Sequence, residues 1–446
     1  MIIQIIFDIL IAVLVFFIVK KLSIGVLLIF FAKIIIPFYV RFYLGRTFDF
    51  AMYDIVSLAL LCSLLFRLHE REKLPVNILI VLWFPLISGV FLALFSSALV
   101  PYEYQFVSLA KNLFLGEIVF LVAFYYKAKY FNCSFFCKLF LLVAIMSGLY
   151  GIFAYLIGMN PYITMLAYTY TGKDYMFSYF LDETRGFLMG RASGVFPHPL
   201  IWGQFWNIAI PFFVLVKKDL NKVLLWLCIS VGFVNVVLCG SRTALLTLLV
   251  SASFYFLSLG YKKIIMFFLL FVVLIFLFVL YPTKSDFFAN DYLTYLKSVV
   301  FFWDDSYVLS LGINGSNAEM RQSQMKAVMN FIASNPIAGI GYNYQYYCLE
   351  NTGVSRYALM GMESVVFKKL VEQGFAGLIC FGIVLCALFR ETSKKIQIKS
   401  DYLCYLGFFL AFVASACFTG IQGGNWPLFV SLNFLLCFYY SKQENA

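Results

Sequence analysis

Charge is what this sequence has least of. Asp, Glu, Lys and Arg make up 12% of its 446 residues, about half of the roughly 25% usual in soluble domains. A soluble chain could not hydrate itself on that supply, and a disordered one needs the opposite balance. Also missing is the ~10-residue alternation of an outer-membrane barrel, because the apolar residues, 63% of the total, come in long blocks. A disulfide framework is absent: of 11 Cys, nine lie in or against apolar blocks and read as small hydrophobes. Cys133 and Cys137 sit in a short basic loop, with no His or second Cys pair nearby to make a zinc site. The N-terminal run has no basic leader and no small-residue cleavage site before Lys20-Lys21, so it reads as a retained first span. No repeat relates the two halves, which weighs against an inverted-repeat transporter.

What is present fits an all-α, polytopic helical membrane protein. A helix needs about 20 residues to cross the hydrocarbon core. The apolar blocks supply about 13 such helices (12–14), near 2–19, 23–41, 51–66, 76–99, 107–126, 138–158, 199–216, 223–239, 243–260, 264–281, 364–389, 402–420 and 426–440. The chain reads as one integral membrane domain over 1–446. Its net charge of +11 is explained by the loops rather than by nucleic acid. Eighteen of the 33 Lys and Arg fall on one set of loops, whereas the short loops opposite hold only Arg41, Arg46 and Arg242. The positive-inside rule makes the first set cytoplasmic. Two long segments, 159–198 and 282–362, then face the periplasm, and loops of that length are seldom without function.

The second segment is partly helical. Ser316 and Glu319 form a capping box, and the helix is expected to run to about Ser334, before Asn335-Pro336. Arg321, Met325, Val328 and Ile332 then share one packing face. Charges in or near apolar blocks (Asp8, Lys33, Asp54, Lys111, Glu117 and Glu372) are functional candidates by default. Snorkelling suffices for Asp8, Asp54 and Lys111 near block ends. Lys33, deeper, is expected to pair with an acidic residue of another helix.

Cations at the outer rim run against the topogenic bias. Arg191 lies between glycines in Gly190-Arg191-Ala192-Ser193-Gly194, ahead of His198 and the seventh span. In Gly240-Ser241-Arg242, Ser241 is the expected N-cap, which puts Arg242 in a helix first turn, where a cation opposes the dipole. Arg321 also occupies a first turn. Two arginines at two helix starts make sense around an anion, because amides and guanidinium groups then point at it together. Glu363, at the outer mouth of the eleventh span, is either an acidic residue satisfying the helix dipole or a base facing a polar cleft. The Tyr-rich outer segments fit an interfacial belt, or a platform for stacking sugar rings. No Asp-x-Asp pair offers a metal site, and Asp304-Asp305 reads as solvated loop.

Taken in order, these motifs resemble the O-antigen polymerase and O-antigen ligase superfamily. The resemblance covers roughly 185–380: an Arg-x-Ser-Gly segment, a Ser-Arg helix start, an Arg before Asn335-Pro336-x-x-Gly339-x-Gly341, and the Leu370-x-Glu372-x-Gly374-x-x-Gly377 helix. It implies an inverting, metal-independent glycosyltransferase of the bacterial inner membrane, without cofactor, whose active site is periplasmic. The implied partners are undecaprenyl-pyrophosphate-linked glycans as donor and acceptor, with a chain-length regulator as a further candidate. The family's pyrophosphate arginines carry over to Arg191, Arg242 and Arg321. The ligase branch opens its last motif with His-Asn, whereas this sequence has Glu363-Ser364 there. That difference resembles the polymerase branch, with Glu363 as catalytic residue and His198 as the weaker candidate. The alternatives are the ligase reaction on lipid A core and, from another class, a lipid-linked oligosaccharide transporter.

Overall fold

The computed structural model describes residues 2–36, 40–44, 48–66, 74–97, 99–170, 191–260, 262–266, 318–351, 364–420 and 425–444. These residues are overwhelmingly helical, as a polytopic membrane chain requires, because helices satisfy their own backbone in lipid. Among the described residues, five helices are long and apolar enough to cross a membrane: Val76–Leu94, Tyr102–Ala128, Cys133–Leu156, Val365–Ser393 and Lys399–Thr419. Shorter apolar helices are Leu22–Ile35, Met52–Phe66, Pro199–Leu215, Lys222–Leu238 and Arg242–Ser258. Most of the expected span at 264–281, the segment 171–190, the Ser316 end of the capping box, Asp304-Asp305 and Glu363 lie outside the described residues.

Two features depart from the expected pattern. The second span ends at Ile35, not near 41, and a two-stranded antiparallel hairpin follows, Arg41–Leu44 paired with Phe48–Ala51. Inside Tyr102–Ala128, residues Leu109–Ile118 form a π-helix, a rare geometry that recurs at functional sites.

The chain divides into two compact units, Met1–Cys133 with Ser323–Lys395 and Ala416–Ala446, and Ser134–Gln322 with Ile396–Ser415. The first unit is cored by aromatic rings: Phe30 and Phe124 lie 5.6 Å apart, Phe124 and Phe131 5.8 Å, and Tyr125 and Phe434 5.1 Å. In lipid, where no hydrophobic drive brings helices together, such packing and buried polar bonds do that work. The second unit centres on Pro199–Leu215. Trp202 and Phe205 stack at 5.3 Å, and Trp202 meets Trp206 edge-on. The Trp202 indole donates to Asn235 Oδ1 at 3.0 Å. Asn235 Nδ2 in turn donates to the Gly148 and Val231 carbonyls, so this fully buried amide is satisfied on both sides.

Candidate functional site

Among the described residues of the second unit, three helix starts are capped by side chains, and two bear on the candidate arginines. Pro199–Leu215 begins with His198 as N-cap: its Nδ1 accepts from Leu200 N at 3.1 Å, and Pro199, with no N–H to orphan, takes the first helical position. Arg242–Ser258 begins with Ser241, whose Oγ accepts from Ala244 N at 3.2 Å. The expected cap therefore exists, and Arg242 opens the helix. Asn221 caps the preceding helix, Lys222–Leu238, in the same manner.

The segment at Arg191 is pinned to the turn between those last two helices. Arg191 Nε donates to the Cys239 carbonyl at 2.7 Å, and Ala192 N donates to the Leu238 carbonyl at 2.9 Å. Asn160 holds the other side, donating to Ser193 Oγ and the Gly194 carbonyl while accepting from the Tyr150 hydroxyl. Gly194 lies against the Trp202 indole, where a Cβ would come within 2.6 Å of ring atoms. Arg191 and Arg242 are thus brought to one four-residue turn, Cys239 to Arg242. The Nε bond spends one of five guanidinium donors and fixes the plane of the group. Both arginines are half-buried. This is an arrangement suited to an anion.

His198 is 7% exposed and serves as a helix cap, so its ring is committed to the fold of this region. Arg321 falls on the helix Ala318–Ile332, but its side chain is outside the described residues. The packing face of that helix agrees with the expected one at Val328 and Ile332 and departs from it at Met325. Met325 is exposed, whereas Gln324, Val328 and Ile332 are buried. The inward stripe therefore starts one residue earlier than the spacing of apolar residues suggested.

In the first unit, two motifs that are well separated in sequence meet. The helix Val365–Ser393 is broken at Gly374, at φ 62° and ψ −165°, a backbone state open in practice only to glycine. The break frees amides, and the Asn335–Gly341 turn satisfies them: Phe375 N donates to the Pro336 carbonyl at 2.9 Å and Ala376 N to that of Ile337 at 3.1 Å. In return Ile340 N donates to the Val371 carbonyl at 2.8 Å. A Cβ on Gly339 would stand 2.6 Å from the Gln373 and Gly374 nitrogens, so the turn can dock this closely only as glycine.

Other helices hold the turn from the opposite side. Asn335 Nδ2 donates to the Phe95 carbonyl at 2.7 Å. Gln105, fully buried, accepts from Tyr342 N at 2.9 Å and donates to Ser96 Oγ and the Val100 carbonyl. Asn343, at φ 62°, directs its side chain to Ser108 Oγ and its backbone N–H to the Glu372 carboxylate. Burial pushes the Tyr342 phenol above its ordinary range, and the Glu372 and Glu117 carboxylates push it the same way, so it remains a neutral donor.

Buried charge surrounds this junction. Glu372 is 3% exposed; its Oε1 lies 3.9 Å from Lys368 Nζ and has no hydrogen-bond partner among the described residues. Lys369 Nζ donates to Gln373 Oε1 at 2.9 Å. Lys33 donates to the Gly116 carbonyl at 3.1 Å and lies over the Tyr53 and Phe120 rings, with Glu117 as the acidic charge acting on it. The direct bond expected to go to an acidic residue of another helix thus goes to a backbone carbonyl there, with Glu117 acting on Lys33 as a nearby charge. Asp54 and Lys111 pair with each other at 3.6 Å rather than snorkelling separately. Gln105 carries no motif that marks it in the sequence; its only signal is an uncharged polar residue near the head of an apolar block.

No curated protein matches the chain. A family model described as O-Antigen ligase matches residues 224–382, a stretch that includes Arg242, Arg321, Glu363, the Asn335–Gly341 turn and the Gly374 break. Residues 224–382 are thus similar to the O-antigen ligase family, in keeping with the resemblance of the sequence motifs to the O-antigen polymerase and ligase superfamily.

Proposed function

We propose that this protein is an O-antigen (surface polysaccharide) polymerase, which joins undecaprenyl-pyrophosphate-linked repeats at the periplasmic face of the inner membrane. A hydroxyl of one lipid-linked glycan attacks the anomeric carbon of another. The carbon–oxygen bond to the pyrophosphate breaks with inversion, and its electron pair leaves on the phosphate oxygen. Charge develops on that leaving group, and fixed cations aimed at it lower the barrier most. Arg191, Arg242 and Arg321 fill this role. Glu363 takes the proton of the attacking hydroxyl, and His198 holds the helix that follows the Arg191 segment.

The observation that carries this reading is the turn on which Arg191 and Arg242 converge, tied by the 2.7 Å bond from Arg191 to Cys239. The test is incubation of the purified protein with lipid-linked repeats, followed by sizing of the glycan. A ladder of lengthened, lipid-linked chains is expected. The description of the matching family favours a second reading, ligase transfer to lipid A core. Supplying both acceptors separates the two: glycan found only on lipid A core would replace the polymerase reading.

A further inference from the structure

A polymerase of lipid-linked glycans must recognise sugar as well as pyrophosphate, and the two need different chemistry. Anions call for guanidinium groups and amides. Sugar hydroxyls call for groups that accept as well as donate, because each hydroxyl does both. The first unit holds such a set at the Gly374 break.

Glu372 is its centre. One carboxylate oxygen takes the Asn343 amide, delivered by a non-glycine residue in the left-handed conformation. The other, Oε1, is buried and without a hydrogen-bond partner among the described residues. A buried acceptor left unpaired is costly, by about 1–3 kcal/mol and more when charged, so an orphan at a motif position needs an explanation. Lys368 Nζ stands 3.9 Å away, beyond hydrogen-bond range, and its side chain is 41% exposed. A hydroxyl oxygen in contact with both would accept from the ammonium and donate to Oε1, closing the gap. The other charge facing Glu372 is Lys369, whose own bond goes to Gln373, and the neutral phenol of Tyr342 is a neighbouring titratable group. Tyr104 and Tyr347, packed edge-to-face at 5.1 Å, lie against the same buried cluster that includes Val371. Such rings border carbohydrate well, since they present apolar faces to sugar C–H groups.

We propose that Glu372 and Lys368 form a sugar-hydroxyl subsite, in which Oε1 of Glu372 accepts from a hydroxyl of a lipid-linked glycan while Lys368 donates to the same oxygen. The subsite rests on the polymerase reading but makes a separate demand: it recognises the glycan and not the pyrophosphate.

The experiment compares two probes bound to the full-length protein in nanodiscs, bare undecaprenyl pyrophosphate and the same lipid carrying the glycan repeat. For the wild type, the glycan should tighten binding at least ~10-fold. Glu372→Gln, which keeps size but no longer offers a charged acceptor, should remove most of that increment and leave affinity for the bare lipid unchanged. Lys368→Met, at a half-exposed side chain, should act in the same direction and keeps the question open to an answer if Glu372→Gln does not fold. An unchanged increment in the folded variants would overturn the subsite. So would equal loss of both probes, which marks a structural role. A wild type that binds bare lipid without gaining from the glycan removes the subsite alone; one that binds neither removes the polymerase reading with it.

Discussion

The junction at Gly374 permits a sharp test, Gly374→Ala. At φ 62° and ψ −165° an alanine sits in a region that costs a non-glycine residue of order 1–3 kcal/mol. Its Cβ would also run into the Ile337 and Pro336 carbonyls, the groups that accept from Phe375 and Ala376. Relieving that clash means moving the turn and surrendering both hydrogen bonds, each worth ~0.5–1.5 kcal/mol. Together these give a loss of about 2–6 kcal/mol. At ~2–4 °C per kcal/mol for a large domain, Tm should fall by at least ~4 °C. The measurement is thermal unfolding in detergent, followed by intrinsic fluorescence. Gly382→Ala, on the same helix with open space around the new methyl, is the control, and should be neutral or stabilising by ~0.5–1 kcal/mol. A Gly374→Ala protein that melts within ~1 °C of wild type would refute the idea that the turn and the break support one another.

Four further outcomes follow from the reading of the site. Arg191→Ala, Arg242→Ala and Arg321→Ala should each lower polymerisation at least ~10-fold in folded protein, with Lys restoring only part of it because the planar fork is lost; normal chain length in all three removes the anion site. Glu363→Gln should cut polymer formation ~10²–10⁴-fold if it is the base, against under ~10-fold for a dipole-satisfying residue, with donor binding measured alongside. A cysteine at Asn317 should react with an impermeant thiol reagent in spheroplasts while one at Lys394 stays protected, and the reverse labelling would invert the topology. Activity should survive EDTA, and a chelated enzyme rescued by Mg²⁺ would contradict the arginine-only account.

The spans were legible because their signal is local: blocks such as Val76–Leu94 announce themselves by length and composition. So were the Ser241 cap and the stop before Asn335-Pro336, which rest on side-chain chemistry within one turn. The end of the second span was not, since the apolar run continues past Ile35 into the hairpin and hides the change of period. The short helix Pro161–Tyr170 was hidden by its length. Met325 misled because its apolar character fits the spacing, whereas the buried position belongs to Gln324. At the candidate site, the glycines of the Asn335–Gly341 turn and of the Gly374 helix were each visible as punctuation. That they dock on each other, with Gln105 as clamp, is a long-range pairing that no local pattern encodes. Arg191 and Arg242 could be grouped by chemistry, but the carbonyl of Cys239 that unites them could not.

The π-helix at Leu109–Ile118 bears on how this chain tolerates insertion and deletion. Its i→i+5 bonds, such as Val119 N to the Phe114 carbonyl, store surplus residues that an α-helix of the same rise would lack. Regularising this stretch to an α-helix without removing a residue would turn one end against the other by about 100° for each surplus residue, the angle per α-helical residue. Both ends are spoken for: Gln105 grips the Tyr342 amide on one side, and Phe120 and Phe124 pack among the core rings on the other. The surplus therefore acts as a phase corrector, letting a single membrane helix present two faces that a regular helix of the same sequence could not present together, and a one-residue deletion should be rejected in the regular turns on either side more strongly than here.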